Sequence, residues 1–351
     1  MKHILKAVRG LQDVEEIVFA GKGRSGYAAK IGEGYLSDVG KRVSFFNAPS
    51  APGVETFNQK KIALVCVSGS GETAEVVQAA KDYKNKGATT ISITASPESS
   101  LREYSDVIVK VTMGEGRDRT GSYLGRQIVR PETPTMGDES EEMSLLSLYL
   151  IAKKIEIPNL SIEKEGEKEI KNLKHILKQN SKSYIAIKDA LNTYRNSGIY
   201  FIGMGKSEIV SHMVSNRAHH YDFEVYATGN STNPPINFHN LAVIISGSGS
   251  AGGLLSHTIE KAKEECAKVG KVSNRVGVAC VVGRKGGIHK EGDISLALGG
   301  ARECRIPTID AKGRPEPFYF RAPVTFNMIL REIAKERGIT VAIARERHIN
   351  I

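Results

Sequence analysis

Ala63-Leu64-Val65-Cys66-Val67-Ser68-Gly69-Ser70-Gly71-Glu72-Thr73 is an apolar run that breaks into a turn of serine and glycine, and the residues after it, to Lys86, read as a helix closed by Gly87. A short apolar run bounded by small polar residues reads as a strand buried on both faces, as in a parallel sheet. A Ser/Gly loop between such a strand and a helix offers backbone N–H groups and hydroxyls to an anion at the helix N-terminus. The pattern occurs twice: Leu241-Ala242-Val243-Ile244-Ile245 runs into Ser246-Gly247-Ser248-Gly249-Ser250. The chain therefore reads as a duplicated anion binder.

The flanking sequence extends the repeat. In the first half, Ile17–Ala20 reads as a strand leading into Gly21-Lys22-Gly23-Arg24-Ser25 and a helix to about Val39. Arg42–Phe46, Ile62–Val67, Thr89–Thr94 and Val107–Val111 follow as strands, then an irregular stretch from Gly114 to Gly137 and a helix from Glu141 to Lys154. In the second half, Ile199–Ile202 leads into Gly203-Met204-Gly205-Lys206-Ser207. Glu224–Tyr226, Leu241–Ile245, Val276–Val282 and Ile294–Leu298 are the further strands, Leu254–Val269 a helix, and Phe326–Arg337 the last helix. The interval from Gly21 to Ser68 is 47 residues, and from Gly203 to Ser246 it is 43. Strands alternating with helices predict parallel sheets covered on both faces, and matched order at matched spacing predicts two copies. A length of 351 residues fits two domains, placed at 1–158 and 159–351. The Lys/Glu-rich stretch from Ile157 to Gln179 carries Leu173, Ile176 and Leu177 at helical spacing, which favours a charged amphipathic helix over an exposed hinge.

Composition narrows the partners. A net charge of +10 favours anionic small molecules. Lys and Arg are dispersed, with no basic run interleaved with aromatics, which argues against nucleic acid. The four cysteines form no CxxC pair, and Cys66 and Cys280 lie inside apolar runs, as buried thiols of a reducing compartment would. No stretch approaches the roughly 18 apolar residues of a membrane span, and Met1–Gly10 lacks the pattern of a signal peptide. These features predict a cytoplasmic protein with no membrane partner.

Gly21-Lys22-Gly23-Arg24-Ser25-Gly26 spells the dinucleotide fingerprint G-x-G-x-x-G, but that site also needs an acid at the end of the second strand. The second strand ends in Asn47, and its counterpart near Thr228, so a nicotinamide site is not expected. A P-loop is excluded because Tyr200 stands where its first glycine would be. The two loops instead predict a phosphate site at the C-terminal sheet edge, built from Gly23, Ser25, Ser68, Ser70 and Thr73, with one hydroxyl serving only as a helix cap.

At these residues the sequence resembles the sugar isomerase (SIS) domain family. The resemblance rests on the Gly21–Ser25 turn, the Ser68–Thr73 loop, and Ile91-Ser92-Ile93-Thr94 followed by Ser99, Leu101 and Asp106. It covers nearly all of the first half and is weaker in the second. It implies tandem flavodoxin-like α/β/α sandwiches, each with a five-stranded parallel sheet, and a phosphorylated sugar as ligand. Within the family the first half looks most like 6-phospho-3-hexuloisomerase, whose Pro-Met-Gly-x-x-x-Glu segment is matched by Thr135-Met136-Gly137-Asp138-Glu139-Ser140-Glu141, with Thr135 in place of proline. The stretch from Gly114 to Pro131 does not match. The carry-over puts Glu141 at the family's acidic position.

Moving a carbonyl along a sugar phosphate means removing a proton beside it and returning that proton one carbon away, which a carboxylate or imidazole can do through an enediol(ate). Neither metal nor redox cofactor is required. Glu141 is the candidate base, although a carboxylate is favoured in a first helical turn on electrostatic grounds alone. The resemblance also implies a histidine reaching the site from a partner domain, with His219 and His220 as candidates. A lone histidine fits a surface or core role equally well. In the second half the loop loses the Glu-Thr pair, and the closing helix shows no counterpart of Glu141. Ser207, Ser246, Ser248 and Ser250 could still hold an anion there; the other expectation is a degenerate partner that completes the first site. The expected assembly is a homodimer of intramolecular pseudo-dimers. The competing function is a non-catalytic sugar-phosphate sensor or partner subunit. A regulator with a helix-turn-helix is disfavoured by the short segment, Met1–Asp13, before the first strand.

Overall fold

The computed structural model describes residues 2–48, 61–111, 138–229, 232–250, 253–267, 277–301 and 314–339. They divide into two compact units inside one helix, between Ile170 and Lys171, with Arg314 and Pro315 grouped with the first unit. The sequence-derived boundary after residue 158 falls ahead of that helix, in the link at its N-terminal end.

The first unit runs α1 (Lys2–Gln12), β1 (Glu16–Gly21), α2 (Gly23–Asp38), β2 (Val43–Phe45), β3 (Ile62–Val67), α3 (Ala74–Asn85), β4 (Thr89–Thr94), β5 (Val107–Lys110) and α4 (Asp138–Glu156). Its sheet is parallel, in the order β2-β1-β3-β4-β5, with Phe19 opposite Val65 and Val65 opposite Ile91. The apolar run that opened the reading is the central strand, and every residue of it is buried. Successive side chains point to opposite faces. Val18, Ala20, Leu64 and Cys66 meet Val76, Ala79 and Tyr83 of α3 on one face. On the other, α2 packs on β1 and β3 and against α4, where the rings of Tyr35 and Tyr149 meet edge-on, 5.8 Å between centroids. Each such aliphatic side chain contributes about 1.5–3 kcal/mol by leaving water. The Lys2–Gln12 segment, unremarked as an element in the sequence, is an amphipathic helix that buries Ile4, Ala7, Val8 and Leu11.

The second unit starts within α5 (Ile162–Gln179) and continues with α6 (Ser181–Tyr194), β6 (Ile199–Ile202), α7 (Lys206–His220), β7 (Val225–Ala227), β8 (Leu241–Ser246), α8 (Gly253–Ala267), β9 (Val278–Val282), α9 (Gly287–Glu291), β10 (Ile294–Ala297) and α10 (Phe318–Glu336). Its five parallel strands take the order β7-β6-β8-β9-β10, the same topology as the first sheet. Both halves are thus flavodoxin-like α/β/α units with five-stranded parallel sheets. The last helix begins at Phe318, eight residues before the start expected at Phe326. Pro323 lies inside it; proline removes only one N–H, and Phe318, Phe320 and Phe326 anchor the helix in the core.

Candidate functional site

The site is built where three segments meet at the C-terminal edge of the first sheet. The first is the turn from β1 into α2. A Cβ on Gly21 would lie 2.9 Å from the Ser25 carbonyl, and one on Gly26 would lie 2.9 Å from the Gly21 carbonyl. The backbones touch, so only glycine fits at either position. This explains the fingerprint spelling without a dinucleotide. Gly23 opens α2 exposed, with Ser25 half-buried behind it.

The second segment is the Ser68–Thr73 loop. Ser68 is buried, and its Oγ accepts from the Gly71 N–H at 3.1 Å and lies 3.1 Å from Thr73 Oγ1. Ser70 Oγ accepts from the Glu72 N–H at 3.2 Å. Thr73 is the N-cap of α3, yet its hydroxyl makes no cap hydrogen bond. It points back to Ser68, so the sequence expectation that one hydroxyl serves only as a cap does not describe Thr73. Glu72 turns outward and accepts from Ser100 N at 2.9 Å and Ser100 Oγ at 2.6 Å. These bonds hold its carboxyl below the usual carboxylate range. Glu72 therefore braces the loop against the next turn. At the α2 end, Lys22 pairs with Glu75 in the first turn of α3.

The third segment is the first turn of α4, where Ser140 approaches to 3.0 Å from the place a Gly69 Cβ would occupy. Glu141, 5% exposed, directs Oε2 to within 3.6 Å of Arg24 Nη1, and Asp138 Oδ1 lies 3.5 Å from the same nitrogen. Arg24 thus ties the acidic turn of α4 to the glycine turn after β1. Gly23, Ser25, Ser68, Ser70, Thr73 and Glu141 are brought to one edge. Arg24 and Ser140 are additions. Arg24 sits in the middle of the turn quoted from the sequence, but its partners are 114 and 117 positions away, and no local pattern announces such a pairing.

The second unit repeats the loop geometry without the acid. Gly249 N–H donates to Ser246 Oγ at 3.2 Å and Ser250 N–H to Ser248 Oγ at 3.3 Å, while Ser248 and Ser250 share a hydrogen bond of 2.7 Å. Ser207 Oγ accepts from Gly247 N–H at 3.3 Å. Gly71 and Gly249 take φ of +70° and +66°. A Cβ on Gly71 would overlap Ser99 Oγ; one on Gly249 would overlap the Arg284 carbonyl. The first turn of α10 contains no acidic residue. Tyr319 Oη and Phe318 lie against Gly247 where Ser140 lies against Gly69. His219 and His220 occupy the last turn of α7, the former exposed and the latter buried. At 1.5 Å per residue they stand about 20 Å along the helix from Ser207, toward the sheet edge opposite the loop.

Residues 10–123 match the SIS domain family. A protein of Methanothermobacter thermautotrophicus is 33% identical over 99 residues, 28% of this chain and 48% of that one. An arabinose 5-phosphate isomerase of Pseudomonas aeruginosa is 32% identical over 112 residues, 28% of this chain and 33% of its own length. The chain therefore spans half or less of the length of these relatives. The crystal structure of glucosamine-6-phosphate deaminase from Thermotoga maritima superposes with a TM-score of 0.61 over 97% of this chain and 92% of its own, at 19% identity; that likeness is one of fold, and it extends across both units. The family match lies within the first unit, and the second unit repeats the same sheet topology.

Proposed function

We propose that the first unit is the catalytic centre of a phosphosugar isomerase, similar in its reaction to 6-phospho-3-hexuloisomerase. Gly23, Ser25, Ser68, Ser70 and Thr73 hold the phosphate, and Glu141 is the base. The observation that carries the reading is the link from Arg24 to Glu141, with the Arg24 guanidinium between the glycine turn and the acid at 3.6 Å. A ligand fixed by its phosphate at the loop would present its sugar carbons toward the first turn of α4. There the Glu141 carboxylate removes the proton beside the carbonyl. Electrons shift onto the carbonyl oxygen to give an enediolate, the hydroxyl proton crosses between the adjacent oxygens, and Glu141 returns its proton to the former carbonyl carbon. The relative that acts on arabinose 5-phosphate supports a phosphorylated sugar as the substrate class. His219 and His220 are the candidates for a histidine supplied from a partner domain to assist ring opening or proton transfer. The reading includes a cytoplasmic setting and a homodimer of two-unit chains. No helix among the described residues is long and apolar enough to cross a membrane.

Incubation with fructose 6-phosphate and other sugar phosphates in deuterated water tests the proposal. Deuterium enters at the carbon beside the carbonyl in the wild type and is lost in Glu141→Gln, with phosphate affinity kept. Binding without exchange for every sugar favours the non-catalytic sensor, and exchange that survives Glu141→Gln removes the base assignment alone.

A further inference from the structure

The second unit contains a cavity of about 450 Å³ at the C-terminal ends of β9 and β10, the edge at which open α/β sheets take ligands. Its size falls within the range of small-molecule sites, roughly 300–1,000 Å³. Gly283 and Lys285, after β9, form one wall, and Gly299, after β10, forms another. Ile176 and Gln179 from the end of α5 and Asn180, the cap of α6, close it. Polar reach comes from one ammonium and two carboxamides. Beneath Gly299 lies a second cation: Arg321, 5% exposed, donates from Nη1 to the Leu298 carbonyl at 2.9 Å. A Cβ on Gly299 or Gly300 would sit 3.1 or 3.0 Å from that same nitrogen, and both residues hold positive φ, +65° and +80°. The guanidinium therefore packs against the backbone of Gly299, a residue that lines the cavity, without lining the cavity itself. Among the described residues no carboxylate lines the cavity, and the helix that carries acids in the first unit begins here with Phe318, Tyr319, Phe320 and Arg321.

A lining ammonium, a buried guanidinium behind Gly299, two carboxamides (Asn180 Nδ2 also donates to the Ile176 carbonyl at 2.8 Å) and no acid among the described lining residues suit a dianion carrying hydroxyls. We propose that this cavity binds a small phosphate ester, separately from the Ser68–Thr73 loop and without turning it over. Its phosphate meets Lys285 in the field of Arg321, and Gln179 and Asn180 hydrogen-bond the rest. Gly283 joins the cavity to the Ser246–Ser250 loop, donating its N–H to the Ser246 carbonyl at 3.0 Å. The second loop thus serves as the support of a neighbouring site.

Calorimetric titration of the full chain with fructose 6-phosphate counts the sites. Two are expected in the wild type and one in Ser68→Ala/Thr73→Val. In that background Lys285→Glu, at an exposed position, should weaken the remaining site roughly tenfold or more by losing a charge-assisted contact. Ile176→Trp should also abolish it, by filling the cavity. If the wild type shows a single site that depends on Lys285 and ignores Ser68, the proposal stands and the phosphate assignment of the first loop fails. Residual binding unchanged by both Lys285→Glu and Ile176→Trp, or no residual binding at all in Ser68→Ala/Thr73→Val, would overturn the proposal.

Discussion

Replacing Gly71 by alanine should damage the first loop far more than the same change at Gly23, although both residues hold left-handed backbone, φ +70° and +56°. A methyl group at Gly23 would meet nothing within 4 Å, so Gly23→Ala carries only the conformational penalty, about 1–2 kcal/mol. At Gly71 the methyl would overlap Ser99 Oγ and stand 2.6 Å from Ser99 Cβ and 3.0 Å from Thr94 Oγ1. A rotamer change moves the Ser99 hydroxyl away but not its Cβ. Ser99 is followed closely by Leu101, whose N–H donates to the Gly71 carbonyl at 3.3 Å, so separating the two segments strains that bond as well. Overpacking of this kind costs about 1–3 kcal/mol, which brings Gly71→Ala to about 2–5 kcal/mol in all. Urea unfolding of both variants measures the difference. Adding Ser99→Gly to Gly71→Ala should recover the steric part, leaving a value near that of Gly23→Ala. Equal destabilisation by the two single substitutions, or no recovery in the double variant, would refute the claim that Ser99 is what confines the loop.

Two further expectations concern pH. The carboxyl of Glu72 is held low by its bonds from Ser100. Its stabilisation is therefore fully present above the ordinary carboxylate range and is lost as pH falls through its lowered value. Glu72→Gln should show a shallower loss of stability between about pH 5 and pH 2, read from acid-dependent urea midpoints; an unchanged profile would contradict the bracing role. The thiols of Cys66 and Cys280 are both pushed up to about 12, chiefly by burial. Their contribution is present below the ordinary thiol range and is lost as pH rises toward that value, with a slope of about 1.4 kcal/mol per pH unit for each. Cys66→Ala/Cys280→Ala should flatten alkaline destabilisation above about pH 9, and a slope equal to that of the wild type would show that the thiols ionise while folded.

The strands were legible because a fully buried parallel strand is a dense apolar run. Ile62–Val67, Thr89–Thr94 and Ile199–Ile202 have the bounds read from sequence. Ends set by long-range packing were not legible. The start of α10 was hidden by Pro323, a helix breaker in isolation, and by aromatic residues whose burial depends on packing against α7 and, for Phe326, on the Phe201 ring of β6. The division between the units falls inside α5, whose charged face reads alike in a linker and in a helix. At the site, residues within one turn were readable from spacing, as with Ser68, Ser70 and Thr73. Arg24, Asp138 and Ser140 act across the edge of a sheet, and only the register of the strands brings them near. Glu141 came from the family resemblance; its tether to Arg24 did not.

Gly249 lends a different meaning to the feature that marked the chain as repetitive. Glycine is required at 249 because the carbonyl of Arg284 leaves no space for a side chain, whatever the loop holds. The shared Ser-Gly-Ser-Gly spelling is therefore no guide to occupancy, which has to be inferred from what surrounds each loop: an acid tethered by arginine in one unit, and a cavity lined by Lys285 in the other.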